Sequence, residues 1–170
     1  MGGFFGAVAK RDVVLDVFFG TDYHSHLGTR RGGMAFYSAQ DGFKRQIHNS
    51  ESTPFRTKFE VDLQKLSGTA GIGCISDTDP QPLLMRSHLG IYAISTVGVI
   101  KNAEALVAQH FDHPGHQFAA MSSGKVNESE LVAALINQKG DLVEGIRYAQ
   151  DVIDGSATIL VLTKIGRAHV

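Results

Sequence analysis

The chain has 170 residues, 43% hydrophobic and 19% charged, with a formal net charge of −1. That balance excludes a disordered polymer and removes the positive charge that a nucleic-acid partner demands. The length suits one domain with one sizeable core, and the single cysteine, Cys74, excludes an intrachain disulfide and suits a reducing compartment.

Residues 1–9 (MGGFFGAVA) are apolar, and Lys10 is the first charge. The run reads as a β-strand buried from its start, with Gly2, Gly3 and Gly6 where backbones approach closely. It lacks a preceding basic region and is far shorter than a membrane span. Gly6 stands where a myristoylation signal wants Ser or Thr. The expectation is a cytoplasmic protein with no membrane partner.

Val13, Val14, Val17 and Phe18 have helical spacing, and Asp12 is a candidate cap. The helix is expected to end near Phe19, before Gly20, Thr21 and a His-rich turn at residues 23–26. A glycine-rich basic loop (28–33), a strand (34–37), an Asp41-Gly42 turn and a return strand (43–48) follow. A short helix over 58–66, a small-residue strand over 68–76 and a loop over 77–82 come next. Strands are expected at 83–85, 91–99 and 118–121, and a helix at 103–110 with Asn102 as its cap. Asn127 and Glu130 have the spacing of a capping box for a helix containing Leu131, Val132 and Leu135. A second amphipathic helix spans 141–153, and 157–163 (ATILVLT) reads as a buried strand. The fold class is α+β, with layered sheets and helices outside.

Several of these stretches, in this order, resemble the N-terminal glutamine amidotransferase domain (class II, N-terminal-nucleophile type) of the amidophosphoribosyltransferase family. The family opens Met-Cys-Gly-Ile-Val-Gly-Ile; here residues 1–7 are MGGFFGA. Its His-Arg-Gly turn is approximated by His26-Leu27-Gly28, and its Ala-Gln-Pro by Pro80-Gln81-Pro82. Its His-Asn-Gly-Asn-Leu-x-Asn-Ala-x-x-Leu is similar to residues 96–106 (TVGVIKNAEAL). Its Ser-Asp-(Ser/Thr)-Glu resembles residues 127–130 (NESE), and its closing strand resembles 155–162. The resemblance runs to about Lys164. It implies a four-layer αββα sandwich and an ancestral reaction in which an N-terminal Cys releases ammonia from glutamine for a following phosphoribosyltransferase domain.

Carried over residue by residue, the resemblance also implies that the chemistry is lost. Glutamine hydrolysis needs a nucleophile, a base, oxyanion donors, a cation for the substrate carboxylate and an anion for its ammonium. The nucleophile position is Gly2, so no catalytic residue is assigned. The degenerate glutamine-pocket positions are Cys74 (in the stretch matching the family's carboxylate-binding Arg), Val97 (oxyanion Asn), Gly98 (retained) and Glu128 (ammonium-binding Asp). The expected role is a structural or regulatory domain. The alternatives are an active glutaminase, with Cys74, Ser76 or Ser95 as rescuing nucleophile, and a module binding another small ligand.

No cofactor or metal is expected. His110, His113 and His116 are either metal ligands or a solvated loop; His24 and His26 with Asp22 are either ligands or a turn; residues 28–33 either cradle a phosphate or lead into a strand. The expected partners are a C-terminal phosphoribosyltransferase domain and, as an option, a second copy. Residues 165–170 (IGRAHV) break the pattern, and one encoding of them matches common sequencing-adapter sequence. The amidotransferase-like domain is therefore expected to span 1–164, with 165–170 a non-native read-through tail.

Overall fold

A computed structural model describes residues 2–28, 30–77, 79–122, 124–164 and 168–169. Most of the expected tail lies outside the described residues; the backbone of 168–169 pairs with the end of the last long strand.

Two antiparallel four-stranded sheets face each other. The first has the order β1-β4-β2-β3, from β1 (Gly2–Val8), β2 (Arg31–Ser38), β3 (Gly42–Asn49) and β4 (Ala70–Ser76). The second has the order β10-β9-β6-β5, from β5 (Leu83–Ser87), β6 (Gly90–Ile100), β9 (Gly155–Thr163) and β10 (Ala168–His169). A small ribbon joins β7 (Met121–Ser122) to β8 (Lys125–Val126). The helices are α1 (Val14–Tyr23), α2 (Phe55–Glu60), α3 (Ala103–His110), α4 (Glu128–Ile136) and α5 (Leu142–Val152).

The period of two along each strand sorts side chains into three apolar layers. Ala35, Ala70 and Ile72 of the first sheet meet Ala93, Leu160 and Leu162 of the second. On the outer face of the first sheet, Met34, Phe36 and Ile75 pack under Val14, Val17 and Phe18 of α1 and Phe55 and Phe59 of α2. On the outer face of the second, Tyr92, Ile94, Ile159 and Val161 pack under Leu106, Leu131, Leu135, Ile136 and Ala149 from α3, α4 and α5. The architecture is the αββα sandwich.

Local chemistry moves several boundaries. Helix α1 runs through Gly20 and Thr21: a Cβ at Gly20 would overlap the Phe5 ring, and Thr21 Oγ1 donates to Val17 O at 2.6 Å, satisfying its hydroxyl inside the helix. Asp12 does serve the helix start, accepting from Val14 N at 2.9 Å. The helix expected at 58–66 is instead α2, entered from Pro54 and anchored by Phe55 and Phe59, followed by a 3-10 turn at Leu63–Lys65. Asn102 does not cap α3. Its amide donates to Val152 O and accepts from Asp154 N, both at 2.9 Å, tying the end of α5 to the end of β6. Asn127 caps α4, but Glu130 does not complete the box; its carboxylate accepts from Ala119 N and Ala120 N. The strand expected at 118–121 starts only at Met121.

Candidate functional site

The positions singled out in the sequence lie where the start of β1 faces β6. Gly2 pairs with Ser76 of β4, and its missing side chain would point at the second sheet. A Cβ at Gly2 would stand 2.5 Å from the Ile75 carbonyl oxygen and 3.5 Å from Val97 Cγ1. Gly2 and Val97 are thus opposite one another, and Val97 presents hydrocarbon to that space. At Gly98 a Cβ would overlap the Ser156 carbonyl oxygen on β9, so the close approach of β9 itself requires glycine there.

Glu128 enters from the first turn of α4. Asn127 Oδ1 accepts from Ser129 N at 2.9 Å and Glu130 N at 3.3 Å, and Asn127 Nδ2 donates to Pro80 O at 3.2 Å. Glu128 N donates to Asp79 Oδ2 at 3.2 Å, and Asp79 N donates to Ser76 Oγ at 3.3 Å, which links α4 to the end of β4. Partial burial, and then the like charge of Asp79, push the Glu128 carboxyl above its ordinary range against a hydrogen bond from the Ile100 backbone. Glu128 also lines a cleft of about 620 Å³ with Ile100, Lys101, Glu104, Val107 and Lys125. A carboxylate held in this way gains from a cation entering the cleft.

Beneath these residues lies a buried polar knot. Gln81 Nε2 donates to Thr96 O at 2.9 Å, Thr96 N donates to Gln81 Oε1 at 2.8 Å, and Ser129 Oγ donates to the same Oε1 at 2.7 Å. One carboxamide thereby fixes the loop before β5, the middle of β6 and the first turn of α4 against each other. The Gln81–Pro82 peptide is cis.

Cys74 sits two residues deeper along β4 than the partner of Gly2, paired with Phe4 on one side and Gly33 on the other. It is 1% exposed, and burial pushes its thiol up to about 12, with partial opposition from the Ser95 hydroxyl.

Against solved structures, 44 chains match. One is glutamine phosphoribosylpyrophosphate (PRPP) amidotransferase from B. subtilis complexed with ADP and GMP, with a TM-score of 0.80 and 22% identity over 96% of this chain. Another, described as the allosteric regulatory enzyme of purine biosynthesis, has a TM-score of 0.80 and 21% identity over 96% of this chain. This chain has their fold. It spans about a third of the length of each, 35% and 36%. No protein-family model and no curated protein matches the sequence.

Within the amidotransferase fold, the structure brings Gly2 and Val97 together, keeps Gly98 beside them and sets Glu128 at the adjoining helix start. Cys74 is enclosed between the sheets. Two contributors escaped the sequence reading. Asp79 is the second acid beside Glu128, and its only signal was an acidic residue in a Pro-bounded loop. Gln81 matched a motif without a role, although a carboxamide between two prolines was the available clue.

Several of the other candidate groups make structural contacts. Asp22 pairs with Arg56 at 2.6 Å, and His26 Nδ1 lies 3.0 Å from Tyr23 O. Gly32 and Gly33 belong to β2, and Arg30 lies 3.7 Å from Glu51; Thr29, part of the expected phosphate loop, lies outside the described residues. His116 packs between Phe111 and Phe118. Among the described residues, no group of three or more His, Cys, Asp or Glu is arranged to hold a metal ion. Among the same residues, no helix is long and apolar enough to cross a membrane.

Proposed function

We propose that this chain is the glutamine amidotransferase-like part of an amidophosphoribosyltransferase-like protein of purine nucleotide biosynthesis. In this reading it has lost glutamine hydrolysis and acts in the cytoplasm as a structural or regulatory domain. Its partner is a phosphoribosyltransferase domain supplied with ammonia from another source. The observation that carries the reading is Gly2 facing Val97: the attacking atom and the side-chain oxyanion donor are absent from the same few ångströms. Loss of one such donor alone costs roughly 10²–10³ in rate in known acyl-transfer enzymes. No side chain at position 2 offers a nucleophile to be assisted.

The burial of the one thiol and its raised pKa support this reading against rescue by Cys74. A Cys74 pKa of about 12 leaves on the order of 10⁻⁵ of it as thiolate at pH 7. Glutamine also has no route to a residue that is 1% exposed. The test is incubation of the chain with glutamine while ammonia and glutamate are measured. The expected result is no release above the uncatalysed background. Release that Cys74→Ala abolishes would overturn the proposal in favour of an active glutaminase.

A second reading, a small-ligand module, is favoured by Glu128 at its cleft. Glutamine raising the melting temperature without turnover, with the rise lost in Glu128→Gln, is its signature.

A further inference from the structure

Glu130 is 9% exposed, and its two oxygens accept from Ala119 N at 2.8 Å and Ala120 N at 2.6 Å. Two backbone donors use only part of a carboxylate's acceptor capacity. Among the described residues Glu130 forms no ion pair. Arg45 borders a smaller cavity that Glu130 also lines, but its guanidinium donates to Pro82 O at 3.3 Å. A nearly buried charge without a counter-charge is costly, and a cation brought beside it recovers part of that cost.

On its other side Glu130 lines a cavity of about 550 Å³, bounded by the end of α3, the loop that follows it, α4 and β5. That volume falls in the range of small-molecule sites. One wall is aromatic: the His116 ring lies 4.6 Å from Phe111 and 4.8 Å from Phe118, centre to centre. Nε2 of His116 is buried and has no hydrogen-bond partner, which leaves an acceptor unspent when the ring carries its proton on Nδ1. Met85 and Ala134 add apolar surface. No Lys or Arg among the described residues lines the cavity, so a phosphate or carboxylate entering it meets Glu130 with no cation to hold it. A bare metal ion lacks ligands there, because no group of three or more His, Cys, Asp or Glu among the described residues is arranged to hold one. What fits is a positive group on an apolar body. The charge goes to Glu130 and the body to the aromatic faces, which themselves attract cations.

We propose that the cavity between α3 and α4 binds a small organic cation, a primary amine on a flat or aliphatic body, with Glu130 as its counter-charge. None of Gly2, Val97 and Glu128 lines this cavity, so an amine is held there whatever the fate of the glutaminase chemistry.

Titration of the chain with benzylamine, followed through its backbone amide NMR signals, tests the proposal. Signals of residues 116–118 and 130–138 are expected to shift saturably, with a Kd of about 1 mM or tighter. Benzyl alcohol, the same body without the charge, binds more weakly by about 10-fold or more, and benzoate leaves those signals in place. Glu130→Gln weakens benzylamine by about 10-fold or more. Where that variant folds poorly for want of its bonds to Ala119 and Ala120, Ala134→Leu fills the cavity, keeps the carboxylate and weakens binding by as much. No saturable shift up to about 20 mM benzylamine overturns the proposal. Benzyl alcohol or benzoate binding as tightly as benzylamine overturns it too, as does undiminished binding in Ala134→Leu.

Discussion

Replacing Gln81 by Leu removes the carboxamide that knots three elements together while nearly conserving side-chain volume. Three hydrogen bonds disappear: those with Thr96 O, Thr96 N and Ser129 Oγ. Thr96 N keeps an acceptor, because Ser129 Oγ lies 3.1 Å away. The Thr96 carbonyl loses its Gln81 donor and the Ser129 hydroxyl loses its acceptor, and both residues are almost wholly buried. An unsatisfied buried group costs about 1–3 kcal/mol, and Leu recovers a part through apolar burial, so the expected net loss is about 3 kcal/mol. For a domain of this size that corresponds to a fall in Tm of roughly 6–12 °C. Urea unfolding followed by circular dichroism reads it as a lower midpoint at an unchanged m-value. A loss below about 1 kcal/mol would refute the reasoning, since it would mean that Gln81 does not hold the loop, β6 and α4 together.

Glu128→Gln is expected to stabilise the chain at pH 7. Because burial and Asp79 raise the Glu128 carboxyl in the folded state, the fold binds that proton more tightly than the unfolded chain does. The ionised form is therefore the destabilised one, and the advantage of Gln present at neutral pH vanishes as pH falls below the ordinary carboxylate value of about 4. Urea midpoints of the two chains at pH 7 and pH 3 measure it; equal midpoints at pH 7 would contradict it. Cys74 is expected to resist a thiol reagent in the native chain and to react once guanidinium is added. With its thiol at about 12, native labelling is slower by at least about 10³-fold, and fast native labelling would show that the strand is open.

The layer architecture was legible because it rests on period and order. The strand-like runs other than 118–121, the two late helices and the Asp41-Gly42 turn appear, and the turn glycine has φ +72°. Legibility stopped where one polar side chain had two possible uses. Asn102 stands at a cap position, but the carbonyl of Val152 and the amide of Asp154 compete for its amide, and they lie fifty residues ahead in the chain. Glu130 stands at the reciprocal position of a capping box, yet two unpaired backbone N–H groups at Ala119 and Ala120 take its carboxylate. Gly20 and Thr21 looked like a helix end because their local preference is poor. The Phe5 ring, arriving from β1, makes glycine the residue that fits. The approach of Gly2 to Val97 was reached only through resemblance, because nothing local to either residue signals the other.

The strand order of the first sheet has a consequence for synthesis. β1 is made before the other elements of this sheet, yet its pairing partner is β4, running from Ala70 to Ser76. At roughly 5–20 residues per second, the nascent Phe4-Phe5 segment waits about 4–15 s before the strand that will cover its backbone exists. During that wait it is an unpaired apolar edge, the kind of segment that recruits neighbouring chains. Gly2, Gly3 and Gly6 lower its readiness to extend as a strand with the wrong partner. Gly2, which in the proposed function leaves the site without an attacking atom, thus acts with Gly3 and Gly6 to keep the emerging chain from pairing early.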